Sequence, residues 1–217
     1  MLDNISYLST ETDTSLTVLE VEQFKKVEKD KNESFINNFL SKIDSYDKKL
    51  SNYIHTLELN LILEYMVYIF ARLFNFDILI IFYISVFLYQ AFMNKNYYYI
   101  IKPFIHVSIV FIFSSLLKYI FKRPRPEINK NVKRLKNLRK KEKNFSMPSG
   151  DSMQAGNFAV VALFYFNISY LGFLVVPFVM FGRIFYFCHY FFDTLIGALI
   201  GGSISYGLVF PLRYLKF

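Results

Sequence analysis

Arg183, His189 and Asp193 are residue types that can act together on a phosphoryl group. His189 and Asp193 are four residues apart, so they share one face if this segment is helical. The carboxylate can then hold one ring nitrogen and leave the other free to attack phosphorus. Arg183 lies six residues before His189 and supplies positive charge for an anionic transition state. The spacing therefore predicts nucleophilic chemistry at His189.

Two further positions supply anion-binding groups. Lys118 and Arg125 are seven residues apart, and together with Arg183 they can bracket one phosphoryl group. Ser149 and Gly150 come just before an apolar segment, where the first N–H groups of a helix favour an anion. Because glycine has no Cβ, Gly150 lets the backbone approach a phosphate closely.

These residues stand at the ends of long apolar segments. The chain is 54% hydrophobic and 20% aromatic, and its apolar residues are gathered into runs typical of membrane spans. We expect an all-α, polytopic membrane helical bundle with about six transmembrane helices. The expected spans are residues 57–74, 78–92, 97–120, 152–166, 171–187 and 191–209.

Six spans place the loops that follow the third and the fifth span on the same side of the membrane. The cations near Lys118, the turn at Ser149 and the pair His189 and Asp193 should therefore converge at one membrane face. Both chain termini are expected on the opposite face. The many Lys and Arg residues of the loop 122–143 favour a cytosolic face, but at least Arg125 is explained by substrate binding instead.

The chain is expected to have two parts. Residues 1–50 form a polar N-terminal tail, helical or disordered, and residues 51–217 form the six-span domain with a basic loop at 122–147. The first residues lack the basic flank and apolar core of a cleavable signal peptide. We expect an integral, multi-pass membrane protein of the endoplasmic reticulum or another endomembrane.

Three blocks of the sequence, taken in order, resemble a known signature. They are K-x6-RP from Lys118, PSGD at residues 148–151 and R-x5-H-x3-D from Arg183. The set is similar to that of the type 2 phosphatidic acid phosphatase superfamily, the lipid phosphate phosphatases and their relatives, which reads K-x6-RP, PSGH and SR-x5-H-x3-D. Two letters differ: Asp151 stands where the family has His, and Gly182 where it has Ser.

The resemblance implies a membrane phosphatase that acts on a lipid phosphomonoester or diphosphate, such as phosphatidate or a polyprenyl diphosphate. His189 would be the nucleophile that becomes phosphorylated, and Asp193 would orient it. No metal or other cofactor is implied, and the expected partners are the lipid substrate and the bilayer, with no nucleic acid. The phosphate ligands implied by the resemblance are Lys118, Arg125, Ser149, Gly150 and Arg183.

Asp151 admits three interpretations, because the family histidine donates a proton to the leaving alkoxide and an aspartate is normally ionised at neutral pH. It can be a general acid with a raised pKa. It can instead orient water or a leaving group, which suits a diphosphate because the departing lipid phosphate is stable as an anion. The third interpretation is an inactive site.

Other functions stay open at this stage. A transferase of the sphingolipid-synthase type shares the His-Asp pair but generally lacks K-x6-RP. A non-catalytic lipid-binding relative is favoured by Asp151 and Gly182 and opposed by the intact block from Arg183 to Asp193. A transporter or channel is disfavoured because the six short spans show no polar stripe.

Several polar residues near these blocks are expected to have ordinary roles. We expect His106 and Cys188 to be packing residues, and Glu64 and Arg72 to pair within the bundle or to contact headgroups. The loop cations are expected to be solvated or to face anionic headgroups. These are Lys122, Arg123, Lys133, Arg134 and the run RKKEK.

Overall fold

The computed structural model describes residues 37–92, 98–165 and 169–214. The chain divides into two units, Met1–Tyr46 and Asp47–Phe217. In the first unit the described residues, 37–46, are helical. The second unit begins with helical residues 47–56, here called α1. It continues with α2 (Leu61–Arg72), α3 (Phe76–Phe92), α4 (Tyr98–Phe121), a 3₁₀ turn (Arg139–Lys141), α5 (Gly150–Tyr165), α6 (Ser169–Phe185) and α7 (Phe191–Tyr214).

No strand occurs in these ranges, so the predicted all-α class is confirmed. A helix stands at each of the six predicted spans. Two of the described helical segments, Ile101–Phe121 and Phe191–Leu212, are long and apolar enough to cross a membrane. The six-span topology therefore stays a prediction. The ends predicted at Tyr97 and Phe166, and residues 1–36 of the predicted tail, lie outside the described residues.

Helix α5 occupies the centre of the second unit and packs against α4, α6 and α7. Its contact with α7 is close because two glycines bring the backbones together. A Cβ on Gly156 would lie 2.1 Å from the carbonyl oxygen of Ala198, and one on Gly201 would lie 2.0 Å from that of Met153. Small residues at such positions are typical of helix pairs in membranes.

Polar side chains also tie α5 to its neighbours. The side-chain amide of Gln154 donates to the carbonyl oxygen of Val107 in α4 at 2.9 Å. His106 joins α4 to α7 and α5, since its Nδ1 lies 2.7 Å from Ser205 Oγ and its Nε2 lies 3.3 Å from Tyr165 Oη. Both His106 and Ser205 are fully buried. These contacts support the packing role expected for His106.

Helix α1 satisfies the free N–H groups at the start of α7. The Asp47 carboxylate accepts from the backbone N–H of Phe192 at 2.9 Å, and Ser51 Oγ accepts from that of Phe191 at 2.9 Å. The first N–H groups of a helix have no partner within it, so α1 supplies the cap from a distant part of the sequence. The start of α7, which carries Asp193, therefore depends on α1.

Arg134 connects the loop between α4 and α5 to two other segments, the end of α1 and the end of α6. Its guanidinium donates to the carbonyl oxygens of His55, Leu57 and Phe185 at 2.6, 2.9 and 3.2 Å. It also lies 3.6 Å above the Phe185 ring, within the range of a cation–π contact. The expectation of a solvated side chain is wrong for Arg134, because it donates to backbone carbonyl groups at helix ends, which have no partner within their own helix.

The contact between α5 and α7 predicts that alanine substitutions at two glycines of α7 change the stability differently. Gly201→Ala would press its methyl group against the Met153 carbonyl and should lower the free energy of unfolding by about 1–3 kcal/mol. Gly207→Ala is the matched control, because nothing lies within 4 Å of its Cβ position. It should leave stability equal or slightly higher, as alanine favours the helix.

Cys188 provides the measurement, since it is buried and is the one cysteine of the chain. Labelling of its thiol by a fluorogenic maleimide during heating in detergent reports unfolding. Equal midpoints for the two variants would contradict the proposed closeness of α5 and α7.

Candidate active site

A cavity of about 250 Å³ lies where α4, α5 and α6 meet the segment before α7. Phe74, Leu79 and Phe111 give part of its wall an apolar character. The polar part of the wall contains five of the residues predicted from the sequence. These are Lys118, Gly150, Asp151, Arg183 and His189.

The His189 ring is held by two contacts that define its tautomer. Nδ1 lies 2.7 Å from the backbone carbonyl oxygen of Ser146, which can only accept, so Nδ1 carries the proton. Nε2 lies 3.2 Å from Nη1 of Arg125, a group that can only donate. The lone pair of Nε2 is therefore directed toward a cation. A phosphoryl group that takes Arg125 as its partner would release this nitrogen for attack on phosphorus.

Asp193 is placed beside this ring but acts on it through Ser146. Its Oδ2 is 3.9 Å from His189 Nδ1, beyond hydrogen-bond distance. The Ser146 hydroxyl instead donates to Oδ2 in a short hydrogen bond, while the Ser146 carbonyl accepts from the ring. The predicted orienting role of Asp193 thus stays a prediction, now with Ser146 as the link.

Arg123 joins Asp193 to α1. Its guanidinium lies 2.7 Å from a carboxylate oxygen of Asp193 and 2.7 Å from one of Asp47, and both of these side chains are fully buried. The expectation that Arg123 is solvated is therefore wrong. A buried carboxylate is tolerated when a cation and donors satisfy it, and Arg123 supplies that charge to two of them.

Arg125 and Lys118 both lie close enough to His189 for their charges to act on its ring. The guanidinium of Arg125 donates to the Cys188 carbonyl oxygen at 2.7 Å and to the side-chain oxygen of Asn144 at 2.6 Å. Lys118 Nζ donates to the Phe145 carbonyl oxygen at 3.1 Å. Both cations are buried, so their charge acts with little screening by water.

Arg183 reaches the cavity from the end of α6. Its Nη1 lies 2.7 Å from a carboxylate oxygen of Asp151 and also donates to the Ala71 carbonyl oxygen at 3.2 Å. The amide of Asn75, with its NH₂ group turned toward Asp151, donates to the same carboxylate at 2.8 Å. Asp151 therefore forms an ion pair with one of the predicted phosphate ligands.

The close packing of α2 against α6 explains the glycine at position 182. A Cβ there would lie 2.9 Å from the Cβ of Ala71 and 3.0 Å from its Cα and N. A serine would push α2 away and withdraw the Ala71 carbonyl from Arg183. The glycine at position 182 is therefore explained by the short distance between α2 and α6.

Ser149 and Gly150 form the turn at the start of α5. The Ser149 N–H donates to the Asp193 carbonyl oxygen at 2.9 Å, and its fully buried hydroxyl accepts from the Ser152 hydroxyl at 3.0 Å. The Ser149 side chain thus turns toward Ser152. Gly150 faces the cavity, where the N-terminus of α5 favours an anion.

Glu142 brings a second carboxylate into the cavity. Its Oε2 lies 2.9 Å from Nη2 of Arg125, and its Oε1 pairs with Nη2 of Arg183. Burial alone would raise the pKa of the Glu142 carboxyl, but Arg183 and Arg125 outweigh it and hold the pKa below its ordinary value. The side chain is therefore an anion at neutral pH.

The surroundings of His189 and of its neighbour Cys188 shift the pKa values of these two side chains in opposite directions. Burial, followed by the charges of Arg125, Lys118 and Arg183, holds the pKa of His189 well below its ordinary value. The imidazole is neutral at neutral pH, as a nucleophile must be. Burial raises the pKa of the Cys188 thiol to about 11, so the thiol stays protonated. This fits the packing role expected for Cys188.

Sequence reasoning missed four side chains that complete the site. Ser146 and Asn144 lie just before the PSGD turn, and the lone acid within the run RKKEKN was a visible signal for Glu142. Asp47 gave no signal, because it lies in a polar segment with many acids. The residues missed are Asp47, Glu142, Asn144 and Ser146.

Two solved structures share this architecture. A transmembrane PAP2-type phosphatidylglycerolphosphate phosphatase from Bacillus subtilis superposes with a TM-score of 0.65, at 19% identity over 81% of this chain and 89% of that one. LpxE from Aquifex aeolicus superposes with a TM-score of 0.59, at 25% identity over 76% of this chain and 94% of that one. The fold is thus that of a PAP2-type membrane protein.

The PAP2 superfamily model matches residues 99–214, more than half of the chain. The chain belongs to the PAP2 superfamily. No significant match was found among curated protein sequences. The resemblance noted in the sequence is confirmed, and the chain is a membrane protein, while its multi-pass topology and endomembrane location stay predictions.

The contacts of Asp47 predict that α1 supports the site. Asp47→Ala removes both the cap on Phe192 and the pair with Arg123, so we expect a loss of about 1–3 kcal/mol in the free energy of unfolding. Asp47→Asn keeps an acceptor for the cap and should lose less. The exposed residue Asn52 of α1 provides the matched control as Asn52→Ala. Equal unfolding midpoints for Asp47→Ala and Asn52→Ala, measured by thiol labelling of Cys188, would refute the dependence of α7 on α1.

Proposed function

We propose that this protein is a metal-independent lipid phosphate phosphatase. The substrate is a lipid phosphomonoester or diphosphate, and the reaction passes through a phosphohistidine at His189. The observation that carries the proposal is the state of the His189 ring at the wall of the cavity: Nδ1–H is bound to the Ser146 carbonyl oxygen, and Nε2, without a proton, lies beside the Arg125 guanidinium. Membership of the PAP2 superfamily supports the same chemistry.

The reaction divides into two displacements at phosphorus. In the first, the Nε2 lone pair forms the N–P bond while the bond from phosphorus to the leaving oxygen breaks and takes its electron pair to that oxygen. A diphosphate leaves as the lipid phosphate anion, and the oxygen of a monoester takes a proton from protonated Asp151 as it leaves. In the second, water forms a P–O bond, the N–P bond breaks, and orthophosphate leaves with the neutral imidazole restored. Lys118, Arg125 and Arg183 stabilise the negative charge of both transition states.

Ser146 and Asp193 are positioning residues in this scheme. When the ring becomes charged by phosphorylation, the Ser146 carbonyl holds the Nδ1 proton and the nearby Asp193 carboxylate stabilises the positive ring. Arg123 holds the Asp193 side chain in place through their ion pair. The cation cluster neutralises the phosphoryl group, so a metal ion is not needed for that purpose.

The apolar wall of the cavity suits a lipid substrate. Phe74 lies in the turn after α2, Leu79 in α3 and Phe111 in α4. The apolar part of the wall therefore comes from the first half of the second unit. A headgroup phosphate at Arg183 would place its chain among them.

The contacts of Asp151 favour an orienting role, whereas its burial favours the protonated form that a general acid needs. Its carboxylate pairs with Arg183 and accepts from the Asn75 amide, which both favour the ionised form, but burial outweighs them and raises the pKa of the carboxyl. A diphosphate substrate needs no proton at this point, because its leaving lipid phosphate is a stable anion. The ionised form of Asp151 therefore suits a lipid diphosphate, and the raised pKa lets the protonated form serve a monoester.

Phosphate release in excess chelator tests the reaction class. The purified protein in detergent should release orthophosphate from phosphatidate or a polyprenyl diphosphate with EDTA present. His189→Ala should reduce the rate by a factor on the order of 10³ or more, since it removes the nucleophile. Comparable release by His189→Ala, with an unchanged Cys188 labelling midpoint, would exclude the phosphohistidine.

Asp151→Asn distinguishes the two active interpretations of that residue. If Asp151 orients the leaving group of a diphosphate and donates a proton only to a monoester, the variant should slow diphosphate hydrolysis by less than about threefold. Monoester hydrolysis should fall by about 100-fold, the usual contribution of a general acid. The exposed loop residue Glu127 gives the matched control as Glu127→Gln. Equal losses on the two substrates would rule out the orienting role.

A further inference from the structure

Glu142 bridges the two arginines that the proposed reaction assigns to the phosphoryl group. One carboxylate oxygen pairs with Arg125 and the other with Arg183, each through an Nη2 group. Lys118 adds a third positive charge near the same carboxylate. The carboxylate thus occupies the place between the cations where a phosphoryl group would have to lie.

We propose that Glu142 is a specificity-determining residue, whose carboxylate must be replaced on Arg125 and Arg183 by the phosphoryl group of the substrate. The proposal rests on the proposed function, because it assigns the two arginines to substrate phosphate. Glu142 then acts as a tethered competitor. Only a ligand that pairs with the arginines better than a carboxylate can bind.

The charge and shape of a ligand decide whether it can displace the Glu142 carboxylate from the two arginines. A terminal phosphate carries about two negative charges and three free oxygens, and can pair with two arginine forks and a lysine at once. The phosphodiester of an ordinary bilayer phospholipid carries one charge and two free oxygens, as a carboxylate does. A tethered group also has a high effective concentration, about millimolar or more for a short linker. Terminal phosphates therefore displace Glu142, and phosphodiesters do not.

The loop around Glu142 allows the side chain to leave while its backbone stays in place. Glu142 follows the 3₁₀ turn, and its carbonyl oxygen accepts from Arg139 Nη1 at 2.7 Å. Arg139 Nε also donates to the Pro126 carbonyl oxygen at 3.3 Å, which ties the turn to the segment after Arg125. The Glu142 side chain retains some exposure, 23%, whereas the side chains of Arg125 and Arg183 are at 2%. A rotamer change can thus carry the carboxylate toward solvent.

Glu142→Gln tests the proposal, because it keeps the size of the side chain and removes its charge. We expect orthophosphate, titrated calorimetrically at pH 7.4, to bind the variant about tenfold more tightly than the unmodified protein. KM for a lipid phosphomonoester should fall by a similar factor, with kcat changed by less than about twofold. A short-chain phosphatidylglycerol should become a competitive inhibitor of the variant only. Glu127→Gln, a neutralised acid at an exposed position of the same loop, should change none of these values.

Two results would overturn the proposal. Unchanged or weaker orthophosphate binding by Glu142→Gln would show that the carboxylate does not compete for the site. A large fall in kcat at constant KM would make Glu142 a catalytic group instead. Glu142→Asp provides a second variant that keeps the charge: its shorter side chain cannot span both arginines, so phosphate affinity should lie between those of Gln and Glu, and affinity below that of Glu would also contradict the proposal.

Calorimetry separates this inference from the proposed function. Tighter orthophosphate binding by Glu142→Gln, together with no hydrolysis of any lipid phosphate by the unmodified protein, would support the role of Glu142 and refute the phosphatase. Hydrolysis by the unmodified protein with equal orthophosphate affinity in both proteins would support the phosphatase and refute the role of Glu142.

Discussion

The backbone contact between α5 and α7 determines where the reactive groups can lie. Gly156 and Gly201 remove the side chains that would keep these helices apart, and Gly197 continues the contact to the carbonyl of Ser149, which a Cβ would approach to 2.8 Å. At that end the Ser149 N–H donates to the Asp193 carbonyl oxygen. A main-chain hydrogen bond thus connects the start of α5, at Ser149, to the first turn of α7, at Asp193. The cavity lies beside this connection.

A continuous line of buried polar groups extends from this connection to α1. His189 donates to the Ser146 carbonyl, Ser146 donates to Asp193, and Arg123 joins Asp193 to Asp47. Each member satisfies the next, as buried charges and donors require. The tautomer of His189, the predicted nucleophile, is therefore supported by residues outside the cavity, and the polar segment before the first apolar run contributes to this support through Asp47.

The parts of the site that could be predicted from the sequence are those whose geometry follows from helix periodicity and helix ends. Lys118, Arg183 and the pair His189 and Asp193 sit at fixed spacings near the ends of apolar helices, so their convergence followed from counting spans. The same reasoning placed a helix at each predicted segment. It could not predict the direction of the Ser149 side chain, whose hydroxyl turns toward Ser152.

The remaining residues depend on the path of a long loop, which no periodicity describes. Arg123 and Arg134 were taken for solvated charges because a basic run is usually solvated. Their partners, Asp47 and the carbonyl groups of His55 and Leu57, lie far away in the sequence. Glu142 was hidden for the same reason, since its neighbours in sequence are lysines and its partners in space are two arginines of other segments.

Under the proposed role of Glu142, an ionised Asp151 in place of the family histidine makes the displacement of Glu142 electrostatically necessary. Three cations, Lys118, Arg125 and Arg183, face two carboxylates, those of Glu142 and Asp151. A phosphate dianion added to this set would leave the buried cavity with a net negative charge, which a poorly solvated site resists. Departure of Glu142 restores neutrality. A histidine at position 151 would contribute no negative charge and would let Glu142 stay beside the substrate. The charge of Asp151 therefore makes the departure of the Glu142 carboxylate a condition for phosphate binding.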